Sequence, residues 1–269
     1  MDHIGPYTFQ AVRCALAVIG LLPVIWLFDR KAGRDFLKEW KNPGLWKAGL
    51  LCGLPLFLAC NLQQVALLYT GPGKAAFLTA MYIVLVPILG LLLGRKLSVM
   101  VPISVCIAVA GLYLLSFAGV SKVNTGDLLL LGSALMFAVQ ILAVDKFAPN
   151  LDALRLNCLQ ALVCSVLSAV VTAFTETVRV PDLVECWLPL CYTGFLSMGA
   201  AYSLQILGQK HVEPAAASVI MSMESVFAVF FGWLLLKEAM STRELIGCVL
   251  MLIAVILCQI PIPRKQKTE

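Results

Sequence analysis

The sequence predicts an all-α protein that crosses a lipid bilayer about nine times. Hydrophobic residues make up 61% of the chain and charged residues only 13%, and the mean hydropathy is +0.93. A soluble domain has no use for so much apolar surface, whereas a helix that spans the ~30 Å hydrocarbon layer needs roughly 20 apolar residues. Apolar runs of that length recur along the whole chain. Composition and run length together therefore indicate a polytopic membrane protein.

The predicted spans follow from the positions of the apolar runs. Backbone amides inside lipid have no water to bind, so each run must be helical, and the alternating pattern of a membrane β-barrel is absent from the sequence. The first run carries neither a basic leader nor a small-residue cleavage site, so we expect it to remain as a span. The predicted spans are 7–28, 46–68, 74–94, 98–118, 126–147, 153–175, 184–208, 214–236 and 242–261.

Cysteine usage and charge argue against several other classes. Most of the 10 cysteines lie inside the apolar runs. Cysteine behaves there as a small hydrophobic residue, so we expect no metal site and assign the cysteines no redox role. The formal net charge of +5 comes mostly from loops that set the membrane orientation, so nucleic acid is not an expected partner. No cofactor is expected either.

The lysines and arginines predict the orientation, because cytoplasmic loops are enriched in both. Of the 20 in the chain, 14 fall in loops of one parity, which include the basic loop at 29–45, and five fall in loops of the other parity. We therefore expect a multi-pass protein of the plasma (inner) membrane, with its N-terminus outside and its C-terminus in the cytoplasm.

An internal repeat divides the chain into two copies, 1–119 and 120–269. Residues 62–96 align without gaps on 204–238 at an offset of 142, with nine of 35 positions identical. Because this offset covers five spans, an odd number, the copies must face opposite sides of the membrane. Many secondary transporters are built from such inverted repeats, with the substrate site near the midplane between them. The pairs that composition does not explain are Gln63/Gln205, Pro72/Pro214, Ala75/Ala217, Met81/Met223 and Gly90/Gly232.

Two segments resemble a known family. Residues 71–96 begin Gly-Pro-Gly-Lys-Ala-Ala-Phe and end Gly-Arg-Lys, and residues 211–217 read His-Val-Glu-Pro-Ala-Ala-Ala before Met-Glu-Ser at 223–225. With the surrounding sequence from about residue 6 to residue 261, they are similar to EamA-type permeases of the drug/metabolite transporter superfamily. The resemblance implies ten helices in two inverted copies, and export or exchange of amino acids, metabolites or drugs by alternating access.

The sequence departs from the family pattern in two places. The span at 126–147 would have its first-copy counterpart before Met1, so we expect the ten-helix fold without its first helix, either as a shortened form or as a nine-helix variant. Ser225 stands where many relatives carry a proline, which we expect to change only a helix bend.

Glu224 is the sharpest candidate for a site residue, because a charge near the middle of a span costs roughly 2.5–3.5 kcal/mol on insertion scales. The resemblance implies a glutamate at this position. Glu224 either faces a cavity, where it contacts a cationic group or exchanges a proton, or forms a hydrogen bond that holds helices together.

Further candidates for the substrate cavity lie at related depths. Tyr82 aligns with Glu224 across the repeat, which favours a shared cavity. The polar side chains on neighbouring spans either bind substrate or hydrogen-bond adjacent helices. Arg13 and Arg155, also paired by the offset, are expected to reach toward a membrane interface. The remaining cavity candidates are Asn61, Gln63, Gln140, Tyr202 and Gln205.

Other functional classes receive less support. An enzyme is disfavoured because the only histidines are His3 and His211 and no His-Glu-x-x-His or Gly-x-Ser-x-Gly motif occurs. A non-transporting membrane subunit stays open as an alternative. The expected partners are the lipid bilayer and a small-molecule substrate, with proton or ion coupling and a homodimer through the small residues at 75–76 and 215–218 as further expectations.

Overall fold

The architecture is described from a computed structural model, which covers residues 4–95, 97–116, 124–236 and 241–259. Within these ranges the chain is helical and contains no strand. The α-helices are α1 (Pro6–Ala32), α2 (Phe36–Trp40), α3 (Pro43–Ala66), α4 (Pro72–Thr79), α5 (Tyr82–Leu92), α6 (Met100–Ser116), α7 (Thr125–Phe147), α8 (Ala153–Thr175), α9 (Val180–Glu185), α10 (Trp187–Cys191), α11 (Tyr202–Gln209), α12 (Pro214–Met221), α13 (Met223–Leu236) and α14 (Thr242–Cys258).

The predicted fold class is confirmed. Six helical stretches of the described ranges are at least 18 residues long and apolar enough to cross a bilayer, and shorter apolar helices account for the other predicted spans. The ends of the spans predicted at 98–118 and 242–261 lie outside the described residues. So do six basic residues used for the orientation, Lys96, Lys122, Lys237, Arg264, Lys265 and Lys267.

Three predicted spans differ from the continuous helices that the apolar runs suggested. The spans at 74–94 and 214–236 are interrupted in the middle, between α4 and α5 and between α12 and α13. At the second break the Ser222 hydroxyl donates to the Val219 carbonyl at 2.6 Å, a local bond that competes with the helical ladder. The span at 184–208 consists of α10, a π-helix (Tyr192–Ala201) and α11. Hydropathy cannot reveal such changes, because the apolar runs continue through them.

Helix boundaries repeat at the same offset as the sequence. Helix α4 and helix α12 both begin at the aligned prolines and both end after eight residues. Helices α6 and α14 begin and end at aligned positions and pack tightly against each other. A Cβ on Gly111 would lie 2.9 Å from the Gly247 carbonyl oxygen, and a Cβ on Gly247 would lie 2.9 Å from that of Gly111. Two glycines therefore allow these backbones their close approach.

The other helices form two groups that share α7. Helix α1 packs along α8, and α3 packs between α7 and α8. Helix α5 packs against α7 and α12. The small residues from which a homodimer was expected are mostly buried within this chain, since Ala75 and Ala215 are 2% and 3% exposed. These two side chains therefore pack inside the monomer.

Contacts between loops show which loops lie on the same face of the helix bundle. On one face, Glu176 accepts hydrogen bonds from the backbone N–H groups of Tyr7 and Thr8, at 3.0 and 2.8 Å, and Lys74 pairs with Asp127 at 2.6 Å. On the other face, Arg95 pairs with Asp145 at 2.6 Å. Alternate loops therefore lie together, as they do in any bundle of successive spanning helices. Which face is cytoplasmic stays a prediction.

Arg155 does not reach toward an interface as expected. Its side chain is 1% exposed and forms an ion pair with Asp29 at the end of α1, which is 2% exposed. Asp152 adds a second carboxylate at 3.7 Å, and the Trp40 ring centroid lies 5.7 Å from the guanidinium. Two carboxylates therefore compensate the charge of this buried guanidinium, although its Nε atom has no hydrogen-bond partner. This ion pair joins α1 to α8.

We predict that Asp29→Asn lowers the free energy of unfolding by about 3 kcal/mol or more, because it leaves the buried Arg155 without its main counter-charge. Thermal unfolding of the purified protein in detergent measures the loss. Arg34→Gln is the matched control, because the Arg34 side chain is 48% exposed and lies 3.6 Å from the same carboxylate; it should cost less than about 1 kcal/mol. Equal losses in the two variants would contradict this account.

Candidate functional site

Tyr82 and Glu224 occupy matching positions in the two interrupted helical segments. Each follows by ten residues the proline that begins its helical segment, and each lies just beyond the break in that segment. At 1.5 Å per residue this distance is about 15 Å, half of the ~30 Å hydrocarbon layer. Helix length therefore predicts that both breaks, with the two side chains next to them, lie near the bilayer midplane.

The Glu224 side chain is exposed, yet it interacts electrostatically with both Tyr82 and Tyr202. Helix α13, which carries Glu224, packs mainly against α6, α12 and α14. Within the described ranges no cation pairs with its carboxylate. Glu224 is therefore a carboxylate within a spanning segment that lies near two tyrosines and has no ion-pair partner among the described residues.

Arg13 supplies a positive charge in the same region. It is the eighth residue of α1, about 10 Å along the helix from its start. Its Nε atom is buried without a hydrogen-bond partner, and its guanidinium lies 5.8 Å from the Phe9 ring centroid. Its electrostatic neighbours include Tyr202 and Cys60. No carboxylate of the described part of the chain forms an ion pair with it, in contrast to Arg155.

Tyr202 lies near both charged residues, Arg13 and Glu224. This tyrosine at the start of α11 lies within electrostatic range of both Arg13 and Glu224. It packs with Phe137 against one apolar cluster of the core. The Phe137 ring in turn meets the Tyr82 ring edge to face, with the centroids 6.4 Å apart. Phe137 therefore contacts the Tyr82 ring and packs against the same apolar cluster as Tyr202.

A chain of buried amides holds the segment that precedes Tyr202. Gln140 on α7 donates to Gln160 on α8 at 3.2 Å, and Gln160 donates to Asn157 at 2.9 Å. The Asn157 amide then donates to the carbonyls of Met198 and Gly199 at 2.9 and 3.0 Å, and it lies 2.8 Å from the Ser203 hydroxyl. Asn157 thus satisfies carbonyl groups of the π-helix that ends one residue before Tyr202.

Comparison with known proteins agrees with this architecture. The sequence profile of the EamA-like transporter family matches residues 1–117 and 124–259. The chain belongs to the EamA-like transporter family. A protein from Archaeoglobus fulgidus named "Uncharacterized transporter" is 32% identical over 258 residues, which cover 96% of this chain and 78% of that protein. Both observations identify a multi-pass membrane transporter.

A solved structure described only as "Crystal structure of protein" has the same fold. It superposes with a TM-score of 0.78, at 18% sequence identity, and the match covers 95% of this chain and 88% of that one. At this identity the likeness concerns the fold alone.

The other amide candidates of this EamA-family chain have different surroundings. Asn61 is 4% exposed and donates to Ser168 on α8 at 2.9 Å, so its amide group joins two helices. Its Oδ1 atom and the Oε1 atom of Gln140 are buried without a partner. Gln63 and Gln205 are half-buried and form no side-chain hydrogen bond within the described ranges. No contact among the described residues joins Gln63 or Gln205 to Glu224, so their position in a cavity stays a prediction.

Two cavities lie outside the group formed by Arg13, Tyr82, Tyr202 and Glu224. One, of 420 Å³, opens beside Arg95 and Glu213, and its inner wall includes Val86 and Leu142. These two belong to the apolar cluster against which Tyr82 packs, so the cavity leads toward Tyr82 and ends at an apolar barrier. The other, of 380 Å³, is an apolar groove between α1 and the π-helix and brings no charged group to the site.

The sequence alone did not predict that Arg13 lies near Tyr202 without an ion-pair partner among the described residues. A basic residue in the first turns of a span is usually read as an interface anchor. Two signals favoured another interpretation: the position of Arg13 about 10 Å along α1, and its alignment with Arg155 across the repeat. Arg155 forms ion pairs with Asp29 and Asp152, whereas Arg13 forms none among the described residues.

Proposed function

We propose that this EamA-family protein is a secondary transporter whose central cavity is lined by Arg13, Tyr82, Tyr202 and Glu224. One observation carries the proposal: two opposite charges lie within spanning helices, both are within electrostatic range of Tyr202, and neither is ion-paired in the described ranges. An isolated charge inside hydrocarbon costs several kcal/mol unless it meets water or a ligand. Such charges are therefore kept where a polar substrate passes. The substrate class is small polar metabolites.

The proposed mechanism is alternating access between the two copies, 1–119 and 120–269. The matched bounds of α4 with α12 and of α6 with α14 support this division. Arg13 and Tyr82 belong to the first copy, and Tyr202 and Glu224 to the second, so relative motion of the copies would alter the site. The 420 Å³ cavity beside Arg95 would serve as a vestibule, with Val86 and Leu142 as the barrier that opens.

Proton coupling follows from the chemistry of Glu224. One carboxylate binds a cationic group in its ionised form and loses that attraction when it is protonated. Proton and substrate therefore compete for Glu224, and each opening of the cavity exchanges one for the other. With a proton gradient directed into the cell, this exchange drives export of the substrate.

We expect Glu224→Gln to fold but to lose proton-coupled transport. Liposomes containing the protein and an internal pH dye, challenged with amino acids and amines, should show a proton flux with the native protein for at least one compound. The variant should reduce that flux at least about tenfold, the effect of losing ~1.4 kcal/mol of interaction, and its rate should no longer depend on pH.

Glu39→Gln is the matched control, because Glu39 is an exposed glutamate of the short helix α2. It should transport as the native protein does. If Glu224→Gln transports at the native rate with an unchanged pH profile, Glu224 has a packing role and the proposed site is wrong.

We further propose that the basic loop at 29–45 is cytoplasmic and that residues 70–73 are external, in the plasma (inner) membrane. Single cysteines replacing Lys38 and Gly71 on a cysteine-depleted background test this, since Lys38 is exposed and a Cβ at Gly71 meets nothing within 4 Å. A membrane-impermeant thiol reagent added outside intact cells should label position 71 and spare position 38. Labelling at 38 with protection at 71 would reverse the topology.

A further inference from the structure

Four sulfur-containing side chains of the described ranges belong to one apolar cluster inside the helix bundle, and none of them is more than 1% exposed. Each comes from a different element, namely α1, α3, α8 and the π-helix. Thiols and thioethers are soft ligands, which favour soft metal ions such as Cu⁺. The four residues are Cys14, Cys60, Cys164 and Met198.

One amide group brings two of these sulfurs together. The Gln10 side-chain nitrogen donates to the Sγ atom of Cys14 and to that of Cys164, at 3.2 Å each. The two sulfurs are therefore at most twice that distance apart, and they also interact with each other. A metal–thiolate bond is about 2.3 Å long for zinc, so two such bonds in line span about 4.6 Å. The two thiols are thus near enough to bind one ion between them.

Arg13 supplies the charge that such a site requires. It precedes Cys14 in α1, and its electrostatic contacts include Cys14 and Cys164. Its Nε atom is buried without a hydrogen-bond partner, and none of the described carboxylates forms an ion pair with it. Two thiolates with one monovalent cation carry a single net negative charge, which one guanidinium balances.

The ligand count and the charge select the kind of ion. A structural zinc ion is bound by four ligands, and in the part of the chain that the structure describes no group of three or more His, Cys, Asp or Glu side chains could hold a metal. A divalent ion between two thiolates would form a neutral complex and leave Arg13 uncompensated. A soft monovalent ion with two thiolate ligands fits both conditions.

We propose that Cys14 and Cys164 bind one soft monovalent metal ion, Cu⁺ or its analogue Ag⁺, in a two-coordinate complex whose counter-charge is Arg13. Binding converts two thiols into thiolates and releases two protons to the solvent, so that atoms and charge balance. The Gln10 amide then donates to the ligating sulfurs, as groups around metal sites commonly do. The bound ion joins α1 to α8. It does not depend on the proposed function.

No metal site was expected from the sequence, because the two cysteines lie far apart in the chain and have no ligand spacing that a motif would show. Only the packing of α1 along α8 brings them together.

Competition with a chelator tests the site. The purified full chain in detergent is titrated with Cu⁺, kept reduced by ascorbate, in the presence of the coloured Cu⁺ chelator bicinchoninate. The native chain should take one ion from the chelator, and X-ray absorption of that ion should show two sulfur neighbours. Cys14→Ala and Cys164→Ala should each lose at least about a hundredfold in affinity, since a ligand contributes more than the groups around it. Cys52→Ala is the matched control and should keep the ion, because Cys52 is equally buried but belongs to another cluster.

Substitutions of Arg13 test the counter-charge. Arg13→Gln should lower the affinity for Cu⁺ at least about tenfold, the lower end of what outer groups contribute to a metal site. Arg13→Lys, which keeps the positive charge, should retain most of the affinity. Arg34→Gln removes an arginine whose side chain is 48% exposed and should change nothing. The melting temperature without metal shows whether each variant is folded.

Four results would overturn the inference. They are a native chain that takes no ion from the chelator, an unchanged affinity in Cys14→Ala or Cys164→Ala, an equal loss in Cys52→Ala, and nitrogen or oxygen neighbours in the absorption spectrum. The measurement uses neither a substrate nor a proton gradient, so its failure leaves the transporter proposal unaffected. Conversely, an unchanged proton flux in Glu224→Gln would overturn the proposed function and leave the metal site standing.

Discussion

A charged side chain inside the hydrocarbon layer must be paired, hydrated or bound to a ligand, and the arrangement of this molecule depends on that constraint. Arg155 is paired, because it forms ion pairs with Asp29 of α1 and with Asp152 just before its own helix α8. The ion pair with Asp29 joins α1 to α8. Arg13 and Glu224 have no such partners in the described ranges. The proposed function follows from this difference: Arg155 is ion-paired, whereas Arg13 and Glu224 are not.

The site depends on elements that contribute no charge. Helix α7 packs on α3 and α5, and its Gln140 begins the amide chain that ends at the π-helix before Tyr202. A π-helix leaves backbone carbonyls in a geometry that an α-helix does not offer, and such segments occur frequently at functional sites. Asn157 satisfies two of these carbonyls in the segment that ends one residue before Tyr202. Positioning of this kind is needed before a transporter can discriminate between ligands.

Much of the fold could be predicted from the sequence, because the length and composition of an apolar run are sufficient to indicate a spanning helix. The offset of 142 residues also predicted where aligned helices begin, as Pro72 and Pro214 show. The alignment of Glu224 with Tyr82 predicted that the two side chains lie near each other, and the structure brings them within electrostatic range; their depth in the bilayer stays a prediction. These successes share a cause, since each depends on position along a single helix.

The parts that could not be predicted depend on contacts between helices. The breaks before Tyr82 and at Ser222 and the π-helix at 192–201 leave hydropathy unchanged. The pairing of Arg155 with Asp29 joins residues 126 positions apart, and nothing in the local sequence of either indicates it. The local sequence therefore could not distinguish Arg13 from Arg155, because ion pairing with a distant residue leaves no local signal. Only the packing of α1 against its neighbours shows that one arginine is neutralised and the other is not.

The central claim is that Glu224 is exposed to a water-filled cavity and not to lipid, and thiol reactivity tests it most directly. Glu224 and Phe227 lie one turn apart on the same helix, and both side chains are exposed, Phe227 by 55%. Single cysteines at the two positions, on a background without the 10 native cysteines, would be treated with a charged, water-soluble thiol reagent in reconstituted membranes. The account predicts rapid modification at position 224 and protection at position 227. Protection at both positions, or equal reactivity at both, would contradict it.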